Sequence, residues 1–399
     1  MAAQTRALVK PEVLAWARAS AGFAVAEAAN KLGIDPDRLA GWESGEDAPS
    51  IPQLRKLADL YKRPLAVLYL QRVPAEFQVI RDLRRLPGTG FRCLPPELML
   101  EVRRAQQRRE LALELLDDLG DETPAFLLAA AQDEDPEMVG ARIRVALGVS
   151  SEDQSRWSDT DGRAAFNAWR SRIENMGVLV FQATHFTSEQ ASGFALSEDR
   201  LPVIVINRKD TPTRRSFSLL HELAHLMLRV SGVSDLDADE LRPPEDLAIE
   251  VFCNRVAAAA LVPRSGLFGD ARVAAHEAFA TDWTDGELNE LARDFGVSRE
   301  ALLRRLLTFG RTTDAFYRQK RRQYLEEFQV QRQRQREQRS ENRMARNMPR
   351  ETISEFGRPL VRIILGNYYQ DRLTLSEVSG YLGIKTKHIA KLEQIAGVR

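Results

Sequence analysis

At 399 residues the chain is longer than one ordinary domain, so two to four folded units are expected. Its 57 basic and 57 acidic residues cancel, and bulk charge therefore points neither toward nor away from nucleic acid. No apolar run approaches the roughly 20 residues of a membrane span, no hydrophobic signal core opens the chain, and two cysteines, Cys93 and Cys253, suit a reducing compartment. A cytoplasmic protein with no membrane partner is expected, and any metal has to be held by His and carboxylate.

From about Pro11 to Leu70 the chain reads as a helical bundle. Val13, Leu14, Ala17 and Ala21 space out a first helix and Val25 to Leu32 a second. Gly33 turns the chain into a third helix that starts at Asp35 or Pro36, passes Trp42 and stops at Gly45. The order A-x-x-L-G-I-D-P-x-x-L-x-x-W-E-S-G-x-x-x-P resembles the XRE/Cro repressor-type DNA-binding domain, and Pro49 to Leu54 opens the fourth helix that such domains have. The resemblance implies that the third helix enters the major groove, turning Asp37, Arg38, Gly41 and Glu43 toward base edges. That face is acidic, with Arg38 its one cation, whereas phosphate binding needs Lys and Arg. A helix-turn-helix kept for protein contact is the competing reading.

Next comes a connecting region. Arg81, Arg84, Arg85 and Arg92 crowd a loop at Pro87-Gly88-Thr89-Gly90. Pro95-Pro96 starts a long amphipathic helix that Gly120 stops. Its Arg103, Arg104, Arg108 and Arg109 read as a solvated face, with phosphate contact as second choice. A further helix runs from Pro136 to about Leu147.

From about Asp161 to Val262 lies the unit with chemistry. A helix around Ala165 to Ile173 precedes three short apolar strands, Val178–Phe181, Gly193–Leu196 and Val203–Ile206. Thr211-Pro212-Thr213 is a capped start for the apolar helix that carries His221-Glu222-Leu223-Ala224-His225. Residues i and i+4 share a helix face, so His221 and His225 can present two imidazole nitrogens to one metal ion, with Glu222 beside them to take a proton from water. The bland alternative is a helix that merely contains two histidines. Against it, two of only five histidines sit here at ligand spacing, among leucines that would bury them. Downstream, Glu250 lies in an apolar helix rich in small residues, where a carboxylate needs a positive partner. Asp239, Glu240, Glu245 and Asp246 compete as third ligand but belong to a run read as solvated. Two imidazoles, one carboxylate and an open position suit Zn2+.

The stretches R-R-S-F-S-L-L-H-E-L-A-H-L and E-V-F-C-N-R-V-A-A-A-A-L-V-P resemble the ImmA/IrrE family of zinc metallopeptidases, over about Arg163 to Gly310. The resemblance implies that His221, His225 and Glu250 bind zinc and that Glu222 is the base. It also implies cleavage of a helix-turn-helix repressor, in phage induction or stress response. Cys253 departs from the family, where an alanine usually precedes the asparagine; a thiol there would make the site sensitive to oxidation.

Beyond Pro263, Glu287 to Leu306 resembles a second helix-turn-helix-like unit. His276 is either an oxyanion stabiliser or a lone surface histidine, the latter preferred. Tyr317 to Arg350 holds eleven basic against four acidic residues, the pattern of an extended basic helix or a disordered linker. A last unit, Pro359 to Gln394, again has helix, Leu-Gly turn, helix, and Lys385, Lys387, His388 and Lys391 make its second helix basic. If one unit touches DNA, the charge pattern favours Lys385, Lys387 and Lys391 over Arg38 and Gly41.

The expected fold is mainly α with a small β-sheet (α+β). Its expected parts are a helix-turn-helix domain at 1–75, a helical connector at 76–160 and a zincin-like core at 161–265. A helix-turn-helix-like unit at 266–312, a basic linker at 313–355 and a C-terminal unit at 356–399 complete it. The expected function is a zinc-dependent endopeptidase that cuts a protein partner, a helix-turn-helix transcriptional repressor, to switch gene expression, with DNA as a second partner and a homodimer compatible with the sequence. The alternative is a DNA-binding regulator or toxin–antitoxin component whose peptidase-like unit binds a partner without cleaving it.

Overall fold

Proline lies in the first turn of many helices, and a left-handed glycine ends several. A computed structural model describes residues 6–74, 81–82, 94–120, 125–159, 161–234, 244–341 and 347–397, with backbone only at 81–82, 233–234, 244–245 and 331–341. The expected loop at Pro87–Gly90 with Arg84, Arg85 and Arg92, and the competing ligands Asp239 and Glu240, lie outside the described residues.

Helices α1 (Pro11–Ala19), α2 (Val25–Leu32), α3 (Pro36–Ser44) and α4 (Ile51–Tyr61) enclose a core of Leu14, Ala28, Leu39, Trp42, Leu54 and Leu57. Gly33 ends α2 at φ 67°, a left-handed conformation that glycine adopts without steric cost, and so makes the turn into α3.

A five-stranded sheet forms the middle of the chain: β1 (Arg81–Asp82), β2 (Leu179–Ala183), β3 (Gly193–Leu196), β4 (Val203–Asn207) and β5 (Gly232–Ser234), in the order β1-β5-β3-β4-β2. β2 and β4 are parallel, β3 is antiparallel to both β4 and β5, and β1 runs parallel to β5. The three apolar runs are strands buried on both faces. Val180, Ala195, Ile204 and Ile206 face one core, while Leu179, Phe181, Phe194, Val203 and Val205 face the other.

The first core is closed by α6 (Pro136–Ala146), α8 (Arg163–Glu174), α9 (Pro212–Met227) and α10 (Pro244–Leu261), with the short α7 (Ser151–Arg156) alongside. α6 and α10 approach closely because small residues meet: a Cβ on Gly140 would lie 2.6 Å from the Ala259 methyl. After α11 (Arg264–Gly269) and α12 (Ala271–Ala275), α13 (Asp285–Asp294) and α14 (Arg299–Thr308) add Leu288, Leu291, Leu302 and Leu306 to the same core. The helical unit expected at 266–312 thus shares its core with the sheet.

The second core is closed by α5 (Pro96–Leu119) together with α16 (Met348–Phe356), α17 (Arg358–Tyr369), α18 (Leu375–Leu382) and α19 (Ile389–Ala396). The arginines of α5 are not the solvated face that their sequence suggests. Arg103, 4% exposed, donates to the carbonyl of Tyr61 at 3.1 Å, and Arg109 donates to the carbonyl of Leu201 at 3.1 Å. Arg108 bonds Glu355 at 2.5 Å and lies over the Phe356 ring. Guanidinium groups stack on aromatics and bridge carbonyls while covering apolar surface with their stems. One helix face thus joins the N-terminal bundle, the sheet and the C-terminal helices.

Of the two expectations for the basic segment, the helical one holds: α15 (Asp314–Glu341) is continuous. Its first half docks through Tyr317 and Tyr324, and Lys320 and Arg321 pair with Asp285 and Glu300. No described helix is long and apolar enough to cross a membrane.

Candidate metal centre

Helix α9 starts where its sequence says it should: Thr211 accepts from the Arg214 amide at 3.3 Å, and Pro212 occupies the first turn. Its leucines bury it between the sheet and α10, so His221, Glu222 and His225 are 0% exposed. Glu250 reaches them from α10 and is 2% exposed.

The two imidazole Nε2 atoms lie 3.1 Å apart. One Glu250 oxygen is 3.4 Å from Nε2 of His221, and the other is 3.3 Å from Nε2 of His225. Ligand atoms about 2.0–2.2 Å from one ion at tetrahedral angles lie roughly 3.3–3.6 Å apart. The spacing is therefore close to three corners of a coordination tetrahedron, and among the described residues no fourth His, Cys, Asp or Glu joins the group. Gathering two carboxylates and two imidazoles in a dry interior is costly unless a cation compensates. The donor set fits a divalent metal.

Burial disfavours ionised Glu250, but hydrogen bonds and charge from His221 and then His225 outweigh it and hold the carboxyl well below the usual carboxylate range. Cys253 is fully buried, and burial, with the Glu250 and Glu222 carboxylates, pushes its thiol well up. Oxidation proceeds through the thiolate. The geometry therefore disfavours the oxidation sensitivity that the sequence suggests.

Two residues near the centre escape sequence reading. Asp246 was grouped with a solvated acidic run, yet it is 1% exposed and lies one turn before Glu250 on the same face of α10. Gly193 of β3 lies against α9, where an added Cβ would sit 3.2 Å from Oε1 of Glu222 and 2.7 Å from the Val205 carbonyl. A glycine inside a strand is the sequence signal for such close approach. His276 is held elsewhere, stacked on Trp283 and bonded to Asp282 and Glu287. It lies outside the ligand group.

A cavity of about 400 Å³ opens at the ends of β2 and β4, lined by Glu101, His185, Arg208, Glu351 and Glu355 among others. It contains none of the ligand cluster. Its charges pair with one another, His185 with Glu101 at 2.7 Å and Arg208 with Glu351 at 3.1 Å.

On α3, Arg38 is exposed and Gly41 partly so. Glu43, expected to face bases, is instead gripped by two bonds from Arg18 at 2.8 and 2.9 Å. At the other end of the chain, Gly383 at φ 60° turns α18 toward α19, and Lys385, Lys387 and Lys391 are exposed.

Residues 14–68 match the family model described as Helix-turn-helix, and residues 173–307 match Peptidase_M78, the IrrE N-terminal-like domain. No curated protein and no solved structure matches the chain. The first match covers α1 to α4, and the second runs from the end of α8 nearly to the end of α14, enclosing the ligand cluster. The chain thus carries a metallopeptidase-type domain of the Peptidase_M78, IrrE-like family behind an N-terminal helix-turn-helix domain of the XRE type.

Proposed function

We propose that the chain is a zinc-dependent endopeptidase that cleaves a protein partner, a helix-turn-helix transcriptional repressor, and so switches gene expression. The observation that carries this reading is the convergence of His221, His225 and Glu250 with Glu222 one residue from the first ligand. In it, His221, His225 and Glu250 hold the ion. When bound, zinc polarises a peptide carbonyl and makes water more acidic. Glu222 takes the proton from the attacking water and returns it to the departing amine. Gly193 leaves room for that carboxylate beside β3.

DNA is the proposed second partner. Lys385, Lys387 and Lys391 are the contacts best placed by charge, with Arg38 and Gly41 on α3 secondary. A second reading has the peptidase unit bind its partner without cutting, and the full burial of the four site residues favours it.

Metal analysis and co-expression with helix-turn-helix repressors of the same genome separate the two. The expected result is one zinc per chain and cleavage products that vanish in Glu222→Gln, which keeps its metal. General-base loss lowers rate by about 10²–10⁴-fold. Full activity in Glu222→Gln would sink the peptidase mechanism.

A further inference from the structure

A peptide to be cut has to bring its carbonyl to Glu222, and Glu222 lies against Gly193 on β3. On one side β3 pairs with β4; its other side is where an extended peptide could add a strand. That side is taken by β5. The two are antiparallel, with Gly193 opposite Ser234, Phe194 opposite Val233 and Ala195 opposite Gly232. The outer side of β5 is taken in turn by β1, Arg81 opposite Gly232 and Asp82 opposite Val233. All four site side chains are 0–2% exposed in this arrangement.

We propose that β5, with β1 laid along it, is a self-inhibitory strap on the edge of β3, and that an extended peptide substrate gains the metal centre by displacing it. The idea rests on the peptidase reading above and specifies the regulation of that site. Three features suit β5 to the task. It follows the metal-binding helix after a tight turn in which Arg229 takes φ 56° and the Ser197 amide donates to the Ser231 hydroxyl at 2.7 Å, a hinge fixed at one end. Its ladder with β3 covers three residue pairs, against five between β2 and β4. Net ladder bonds contribute about 1 kcal/mol each, so a longer incoming strand can outcompete it. Finally, β1 lies in the chain between α4 of the helix-turn-helix domain and α5.

The test uses the full, metal-loaded chain and a library of unstructured peptides, with cleavage read by mass spectrometry and metal release to excess chelator read by absorbance. Ala195→Cys/Gly232→Cys would tie β5 to β3, since paired antiparallel strands bring Cα atoms within disulfide range. Oxidised, it is expected to cut slowly and release metal slowly, with both restored by reductant; the reduced form is its own folding control. Val233→Pro removes a ladder donor and is expected to speed cleavage and metal release by about fivefold, the size of one lost ladder bond. Hydrogen exchange of the wild type adds an independent reading, with amides 232–234 expected to exchange faster than those of β2 and β4. Equal cleavage and metal release in locked, wild-type and proline forms, or β5 amides as protected as β4, would overturn the strap. Metal release that follows the strap while no variant cuts any peptide would instead support the strap and fail the peptidase reading.

Discussion

The two ends of the chain carry the same shape with opposite charge. At the N-terminus, α3 presents Asp37 and one exposed cation, Arg38, while Glu43 is turned inward onto Arg18. At the C-terminus, α18, Gly383 and α19 carry three exposed lysines. Apolar spacing and a left-handed glycine set the shape of both, and neither depends on what the surface displays. Shape therefore cannot assign DNA contact to either one; surface charge can. The cluster of His221, Glu222, His225 and Glu250 between them is the third case, where charge is buried and position is enforced by packing.

The largest expected effect contrasts that buried charge with the exposed ones. Glu250→Ala removes one corner of the ligand set and should abolish stoichiometric metal. Breaking a buried charged cluster costs on the order of 3–5 kcal/mol. In calorimetry, chelator should lower the wild-type midpoint and leave the variant unchanged; an equal chelator response in both would remove Glu250 from the site. Next comes the C-terminal surface. Lys385→Ala/Lys387→Ala/Lys391→Ala should reduce the slope of log affinity against log salt for duplex DNA by about 2.7, at roughly 0.9 per phosphate contact. Arg38→Ala should change it by less than one, and the reverse ranking would give DNA contact to the N-terminal unit. Smaller again, Arg18→Ala should destabilise the N-terminal bundle by about 1–3 kcal/mol, because Glu43 is left half-buried without its main donor. Urea unfolding followed by Trp42 fluorescence would read it. Smallest is Cys253→Ala, expected to leave peroxide sensitivity unchanged; marked protection would show that the thiol is reachable after all.

Much of this was legible because the signals are local. Pro212 with Thr211, Gly33, Gly383 and the continuous apolar run Val203 to Ile206 each act over a few residues, and the structure follows them. The spacing of His221 and His225 also depends only on helix geometry. What could not be read is long-range. Asn367 donates to the carbonyl of Leu115, 252 positions away, and no periodicity announces that α5 and α17 share one core against the sheet. Likewise the arginines of α5 read as solvated because their acceptors, on Tyr61, Leu201 and Glu355, are remote in sequence. β1 and β5, of two and three residues, are too short to show a period at all. Asp246 was misread because its neighbours are acidic, whereas the helix carries it inward.

One hydrogen atom at Gly193 sets the working clearance of the centre. A methyl group in its place would press on the Val205 carbonyl and crowd the Glu222 carboxylate, its nearest site neighbour. Gly193→Ala should therefore yield a chain that loads metal normally and turns over poorly, uncoupling the holding of the ion from its use.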